Sequence, residues 1–277
     1  MTPIITLTSD FGRSDGYPAA MKAVILGIAP DALIVDITHD AAPQAVAHAS
    51  FVLGATAKYF PSGTIHVAVV DPEVGTGRSA IVLSSANRTV YVGPDSGIFS
   101  HVLSGLGVVP EMDPSRPFLE PITGPVPDDF RAYRITEARF MRDTISMTFH
   151  GRDVFAPCAA YLSLGSDPDE VGPPLDSITY LNLPEPQESF GQAIGCVQHI
   201  DRFGNVVTNI TESFKGSKVK SVVVANRKII RLSGSYRDAG DLGAVIGSHG
   251  FLEVASYRDR ATSLLGSDLG DCVVACF

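Results

Sequence analysis

Residues 3–38 read PIITLTSDFGRSDGYPAAMKAVILGIAPDALIVDIT, and the fold class follows from how that stretch divides. PIITLTSD has the continuous apolar character of a strand, GYPAAMKAVILGIAP spaces its apolar residues as a helix does, and ALIVDIT is a strand again. Apolar strands joined by a helix predict parallel pairing, buried on both faces. The alternation continues: PQAVAHASFVLGATAKYF is helical in spacing and TIHVAVVD is a third strand. AIVLSS, TVYVGPD and the helix-like SGIFSHVLSG extend the same domain. Ligands of such sheets sit at the carboxyl ends of strands, near a topological switch point. Asp10 ends the first strand and Asp71 the third, so if those strands are neighbours both carboxylates enter one crevice.

From Pro110 to Pro127 the pattern breaks, with six of the nineteen prolines. The region near 110–135 is expected to be an extended surface insertion without regular elements. ISMTFHGRDVFAPCAAYLSLG then reads as a strand, a turn and a helix. Beyond LNLPEPQESFGQA, a connection containing Pro and Glu, short strands are separated by turn residues: AIGCVQHID, VVTNI, VKSVVVA, KIIRL, AVIGS, FLEVA and DCVVACF. The expected class is α/β. An N-terminal Rossmann-like α/β domain with a mostly parallel sheet spans 1–178, a linker spans 179–190, and a smaller C-terminal all-β, barrel-like domain spans 191–277.

With 277 residues, 45% of them apolar and 18% charged, the chain has a globular composition and an ample core. Its net charge of −9 and singly scattered Lys and Arg argue against a nucleic-acid partner. No apolar run approaches the roughly 20 residues that span a bilayer, so no membrane partner is expected. MTPIITLTSD lacks a basic n-region and a long apolar h-region, which predicts a cytoplasmic protein. Cys158, Cys196, Cys272 and Cys276 form no CxxC pair and have no His at zinc spacing; reduced, mostly buried thiols and no metal are expected. Cys272 and Cys276 would lie about 13 Å apart along a strand, too far for a disulfide.

Several polar stretches carry candidate chemistry. SDFG at 9–12 is no kinase signature, because the HRD and VAIK partners are missing. Its aspartate either caps the next helix or chelates the hydroxyls of a ribose. VVDPEVGTGR at 69–78 sets Asp71 and Arg78 seven residues apart on a Gly-rich loop, and GTGR lacks the GK[ST] ending of a phosphate loop. His39, Asp40 and His48 span a helix start and its body, a poor arrangement for a metal. FHGRD at 149–153 places His150 beside Gly, Arg and Asp at a strand-to-helix turn, where active-site residues are often found. IDRFGNVVTNI at 200–210 puts Asp201, Phe203 and Asn205 on a corner between strands. That corner is either an Asx-rich turn or a base pocket, in which Phe203 stacks and Asn205 exchanges two hydrogen bonds with adenine.

Taken together, SDFGRSDGYPAAMKAVI, VVDPEVGTGR, VGPDSG, TFHGRDVFAP, IDRFGNVVTNI and IGSHGFLEVA resemble the S-adenosylmethionine (SAM) hydroxide adenosyltransferases, the adenosine-forming SAM hydrolases related to fluorinases and chlorinases. The segments occur in family order over most of the chain. The resemblance implies in-line attack of an activated water or hydroxide on the ribose 5′ carbon of SAM, giving adenosine and L-methionine. SAM is then the substrate and no cofactor is needed. It implies a catalytic trio of Asp71, Arg78 and His150, with the proton taken by Asp71 or His150. Asp10 falls on the ribose hydroxyls and Phe11 on the substrate pocket. Asp15 and Asp201 match positions near the methionine ammonium, and Ser248 one near its carboxylate. Phe203 and Asn205 match the adenine pocket, with Tyr236 packing on the base. His249 departs from the arginine of halogenating relatives, so the carboxylate would be met by backbone N–H groups. A homotrimer with active sites between subunits is also implied. Two rivals stay open. A halogenase would have Asp71 beside its halide, a repulsive neighbour. A non-catalytic SAM or adenosine sensor would not need Asp71, Arg78 and His150 together.

Overall fold

A computed structural model describes residues 2–107, 116–211, 219–229 and 232–277. The chain divides into two compact units, Met1–Asn182 and Leu183–Phe277. The first begins with β1 (Ile4–Ser9), α1 (Tyr17–Ile28), β2 (Leu33–Thr38), α2 (Val46–Ala57) and β3 (Ile65–Val69). It continues through β4 (Ala80–Ser85), β5 (Val90–Pro94), α3 (Ser100–Gly105), β6 (Pro121–Pro125), β7 (Phe130–Arg134), α4 (Ala156–Ser163), β8 (Pro174–Leu175) and β9 (Ser177–Leu181). Seven of these strands form a mixed sheet in the order β2-β1-β3-β5-β4-β7-β8. β1 pairs in parallel with β2 and β3, and β3 with β5. β4, β7 and β8 extend the sheet antiparallel. Because β2 and β3 flank β1 on opposite sides, the chain order reverses there, and the carboxyl ends of β1 and β3 border a crevice of the ligand-binding kind.

Alternation along β3 explains why both faces of this sheet are covered. Val67 and Val69 pack with Ile5, Leu7, Met21, Ile25 and Ala159, under α1 and α4. Ala68 and Val70 pack with Ala49, Leu53, Val102 and Leu103, under α2 and α3. A strand covered twice has no solvent side, so its residues are mostly apolar and even its one histidine, His66, is fully buried.

The second unit holds β10 (Gln187–Ser189), β11 (Gln192–Ile200), β12 (Val206–Thr211), β13 (Ser221–Val224), β14 (Arg227–Ile229), the helical turn α5 (Tyr236–Ala239), β15 (Gly243–Ile246), β16 (Phe251–Ala255), the short α6 (Ala261–Leu265) and β17 (Cys272–Cys276). Its strands run β14-β13-β17-β11-β12-β16-β15, with β10 on β11, all antiparallel and barrel-like. Val197, Val206, Val222, Val254 and Val273 fill its core.

Three expectations are corrected. Residues 145–149 are not a strand. Ser146 N–H donates to Asp153 Oδ2 at 2.9 Å and Thr148 N–H to Ser146 Oγ at 3.3 Å, so side-chain acceptors take donors that a ladder would need. The stretch expected to be an irregular insertion contains β6, paired with β9, and β7, paired with β4. Pro121 and Pro125 fit because they stand at the two ends of a strand in a two-stranded sheet. Residues 110–115 of that stretch, and residues 230–231 of KIIRL, lie outside the described residues. The thiols are free, but only Cys158 and Cys196 are buried; Cys272 is exposed and Cys276 half-buried. Among the described residues no helix is long and apolar enough to cross a membrane, and no group of three or more His, Cys, Asp or Glu is placed to hold a metal.

Candidate active site

β3 runs out through Val70 into Asp71, where successive turns fold the loop back on itself. Val74 N–H donates to the Asp71 carbonyl at 3.2 Å and Thr76 N–H to the Glu73 carbonyl at 3.1 Å. Gly75 sits at φ 77, and a Cβ there would lie 2.4 Å from the Met147 carbonyl oxygen. Only glycine offers both that conformation and that clearance. The reversal returns Arg78 to Asp71 in a two-pronged pair: Nε donates to Oδ1 at 2.8 Å and Nη2 to Oδ2. Nη2 also lies 2.7 Å from His150 Nδ1. The Asp71 and Arg78 side chains are only 6% and 5% exposed, so the pair works largely out of water. The Phe155 ring lies 5.4 Å beneath the guanidinium carbon.

A guanidinium only donates, so the His150 Nδ1 that faces it accepts and the ring proton sits on Nε2. Burial, and next the charge of Arg78, hold the His150 pKa below the ordinary imidazole range, against the opposite pull of Asp71 and Asp153. The trio at neutral pH is thus a carboxylate, a guanidinium and a neutral imidazole. It offers N–H donors and the unused lone pairs of Asp71 to one small polar molecule.

His150 enters α4 through a π-helical turn, Gly151–Phe155, and not from a strand. Asp153 anchors that turn. Its carboxylate is fully buried and accepts from Arg152 Nε at 2.7 Å, Arg152 Nη2 at 2.8 Å, Arg142 Nη1 at 3.2 Å and Ser146 N–H. These bonds fix the segment whose Met147 carbonyl meets Gly75. Phe11 and Tyr17 pack with Phe149 at ring separations of 5.6 and 5.0 Å, joining the SDFG loop to the His150 segment. Asp10 itself is half-buried, and its Oδ2 accepts from Gln44 N–H at 2.8 Å. Asp15 is exposed on the turn before α1, with Ser14 Oγ 3.4 Å away.

The other candidates belong to the second unit. Asp201 accepts from Asn205 N–H at 2.8 Å and from Asn205 Nδ2 at 2.9 Å, so one amide donor of Asn205 is already used. The corner is therefore an Asx-rich turn, closed by Asp201 and Asn205. Phe203 stands 75% exposed at its tip. Tyr236 opens α5, and its hydroxyl donates to Glu253 Oε2 at 3.1 Å. Burial and the carboxylates of Glu253 and Asp201 push that phenol up to about 12. Ser248 is exposed on the turn between β15 and β16, next to His249, whose Nδ1 lies 3.1 Å from Glu253 Oε1. Glu253 is itself fully buried, and a Cβ on Gly247 would lie 1.6 Å from its Oε1. The site residues that sequence reasoning left unassigned are Asp153, Phe149, Tyr17 and Glu253. The first two stood inside or beside the quoted FHGRD motif. Glu253, in an apolar FLEVA strand, gave the only other signal, a carboxylate where a core side chain belongs.

The family model described as the SAM hydroxide adenosyltransferase N-terminal domain matches residues 5–172, and the corresponding C-terminal domain model matches residues 195–274. The chain is 34% identical to an (R)-S-adenosyl-L-methionine hydrolase of Methanocaldococcus jannaschii, over 97% of this chain and 94% of that protein. It is 36% identical to a protein of the same name from Thermus thermophilus, over 96% of both. A fluorinase of Nocardia brasiliensis is more distant, at 26% over 91% and 90%. An uncharacterized conserved protein of Thermotoga maritima, solved by crystallography, superposes with a TM-score of 0.83 at 33% identity, covering 99% of this chain and all of that one.

Proposed function

The chain belongs to the SAM hydroxide adenosyltransferase family, and from that premise we propose that it hydrolyses (R)-S-adenosyl-L-methionine to adenosine and L-methionine. The observation that carries the reading is the half-buried Asp71–Arg78–His150 cluster. A sulfonium leaves as a neutral thioether, so the reaction needs no general acid, no metal and no cofactor. What it needs is an oxygen nucleophile held in line behind the ribose 5′ carbon. Arg78 supplies fixed positive charge that favours hydroxide character in the bound water. His150, with Nδ1 occupied by Arg78, offers its Nε2–H as a donor to that water's oxygen. Asp71 keeps an unused lone pair on each oxygen and is the group left to accept the proton. A carboxylate is a weak base, yet it suffices because the attacking water becomes strongly acidic as the C–O bond forms.

Asp10 and Phe11 would hold the ribose. From the second unit, Phe203, Asn205 and Tyr236 would hold the adenine and Ser248 the methionine carboxylate, while Asp201 and the first unit's Asp15 would meet the methionine ammonium. We assign the two sets to different subunits of a homotrimer in the cytoplasm, a setting that the four free thiols support.

The test is chromatographic: purified protein with SAM, with and without chloride. Equal adenosine and methionine, unaffected by chloride, is the expected result. A 5′-halogenated adenosine would replace this reading with a halogenase, and binding without turnover would leave a sensor. Arg78→Ala should lower adenosine release by about 10²-fold or more, the scale of losing an electrostatic stabiliser.

A further inference from the structure

The loop 9–12 that carries Asp10 is tied to segment 36–44 through side chains and backbone together. Ser9 Oγ lies 2.7 Å from His39 Nδ1, His39 Nε2 lies 3.1 Å from Asp36 Oδ1, and Asp36 Oδ2 accepts from Lys22 Nζ at 2.6 Å. Gly12 N–H donates to the His39 carbonyl at 2.7 Å, and Ala41 N–H to the Ser9 carbonyl at 3.4 Å. Gln44, whose N–H holds Asp10, has φ 62. A non-glycine residue keeps that conformation only where its surroundings impose it.

The chain of contacts has a direction. Burial, more than any neighbouring charge, holds the His39 pKa below the ordinary range, so the ring is neutral near pH 7. Nε2 faces a carboxylate and carries the proton; Nδ1 therefore accepts from the Ser9 hydroxyl. That leaves the Ser9 oxygen to accept the Phe11 N–H, 3.4 Å away. The Ser, His, Asp order is that of a hydrolase triad. Ser9 and His39 are only 1% and 2% exposed, however, so this serine meets the loop and not a substrate carbon.

We propose that His39, oriented by Asp36, is a positioning residue that sets the Asp10 carboxylate for the two hydroxyls of the substrate's ribose, and so governs selection of ribose over 2′-deoxyribose. The proposal rests on Asp10 being the ribose-binding group. A site built to bond a hydroxyl rejects the analogue lacking it, whereas a misplaced carboxylate loses that discrimination.

The experiment measures kcat and KM for SAM and for its 2′-deoxyribose analogue in the wild type, Asp10→Ala, His39→Gln and Asp36→Asn. Asp36→Asn is the milder change at a partly exposed side chain and serves if His39→Gln does not fold. The wild type should prefer the ribose substrate by about 10²-fold or more. Asp10→Ala should bring the ratio of kcat/KM values near one. His39→Gln and Asp36→Asn should cut the ratio about tenfold or more, through the KM for SAM, with the analogue's kinetics nearly unchanged. Equal losses on both substrates in the His39 and Asp36 variants would make the chain merely structural and overturn the proposal. If Asp10→Ala leaves the ratio intact, the ribose reading of Asp10 is what fails.

Discussion

Arg78 gives its fork to Asp71 and one further N–H to His150, and each recipient can be tested by what it accepts. An asparagine at 150 can bring its carbonyl oxygen close to where Nδ1 stands, whereas alanine offers no acceptor. His150→Asn should therefore retain about tenfold more kcat/KM than His150→Ala, on the scale of one charge-assisted hydrogen bond. Equal activities would remove the acceptor role given to Nδ1. The pH profile gives a second reading. Protonated His150 would turn an N–H against an Arg78 N–H, so activity is lost as pH falls through a pKa depressed below 6.5. Above that value the ring stays neutral, and kcat/KM should hold level through pH 6.5. Asp153 is among the groups that raise this pKa, so Asp153→Asn should move the acid limb to lower pH. A limb that moved upward instead would contradict the assigned electrostatics. His150 was legible as a candidate from FHGRD, but its protonation state required the position of Arg78, 72 residues away in the chain.

At the scale of elements, the 71–78 loop meets the 142–149 segment where the Met147 carbonyl stands against Gly75. Gly75→Ala adds a Cβ within 2.4 Å of that oxygen and at φ 77, while a Cβ on Gly77 meets nothing within 4 Å. The first substitution should cost about 1–3 kcal/mol of stability. It should also lower turnover by about tenfold or more, because small misplacements of reacting groups are expensive in rate. Gly77→Ala should leave both nearly unchanged. Thermal melts with parallel adenosine assays separate the two, and equal effects would deny the contact its role. The strands β1, β3 and β5 were legible because burial on both faces leaves a predominantly apolar run, whereas β2, at the edge of the sheet, is partly exposed. Segment 145–149 has the same local appearance. It is not a strand because Asp153 and Ser146 capture its backbone donors, a competition that no local pattern displays.

For the whole molecule, acid stability and assembly are the accessible quantities. His66 and His101 are held neutral by burial, each pushed down to about 4 from 6.5. The unfolded chain binds their protons first, so stability present above pH 6.5 is lost as pH falls toward about 4. The loss approaches about 3 kcal/mol per group, at 1.4 kcal/mol per pKa unit. Denaturant melts at pH 7 and pH 5 should show this decline, and His66→Gln should flatten it. Assembly can be tested by coexpressing Arg78→Ala with Tyr236→Ala. A trimer whose sites join residues of different subunits would regain activity that neither variant has alone, whereas subunits with self-contained sites would not. The sequence by itself determined the α/β pattern, the later run of short β-strands and the motifs that hold Asp10, Asp71, Arg78 and His150. It did so because periodicity and turn chemistry are local properties of the chain. Only the tertiary structure decided that Arg78 bridges Asp71 and His150, that Asp153 and His39 brace the loops, and that Glu253 lies buried between Tyr236 and His249. Those relations depend on which distant segments the sheet brings within a hydrogen bond of one another, and no short-range pattern encodes that distance.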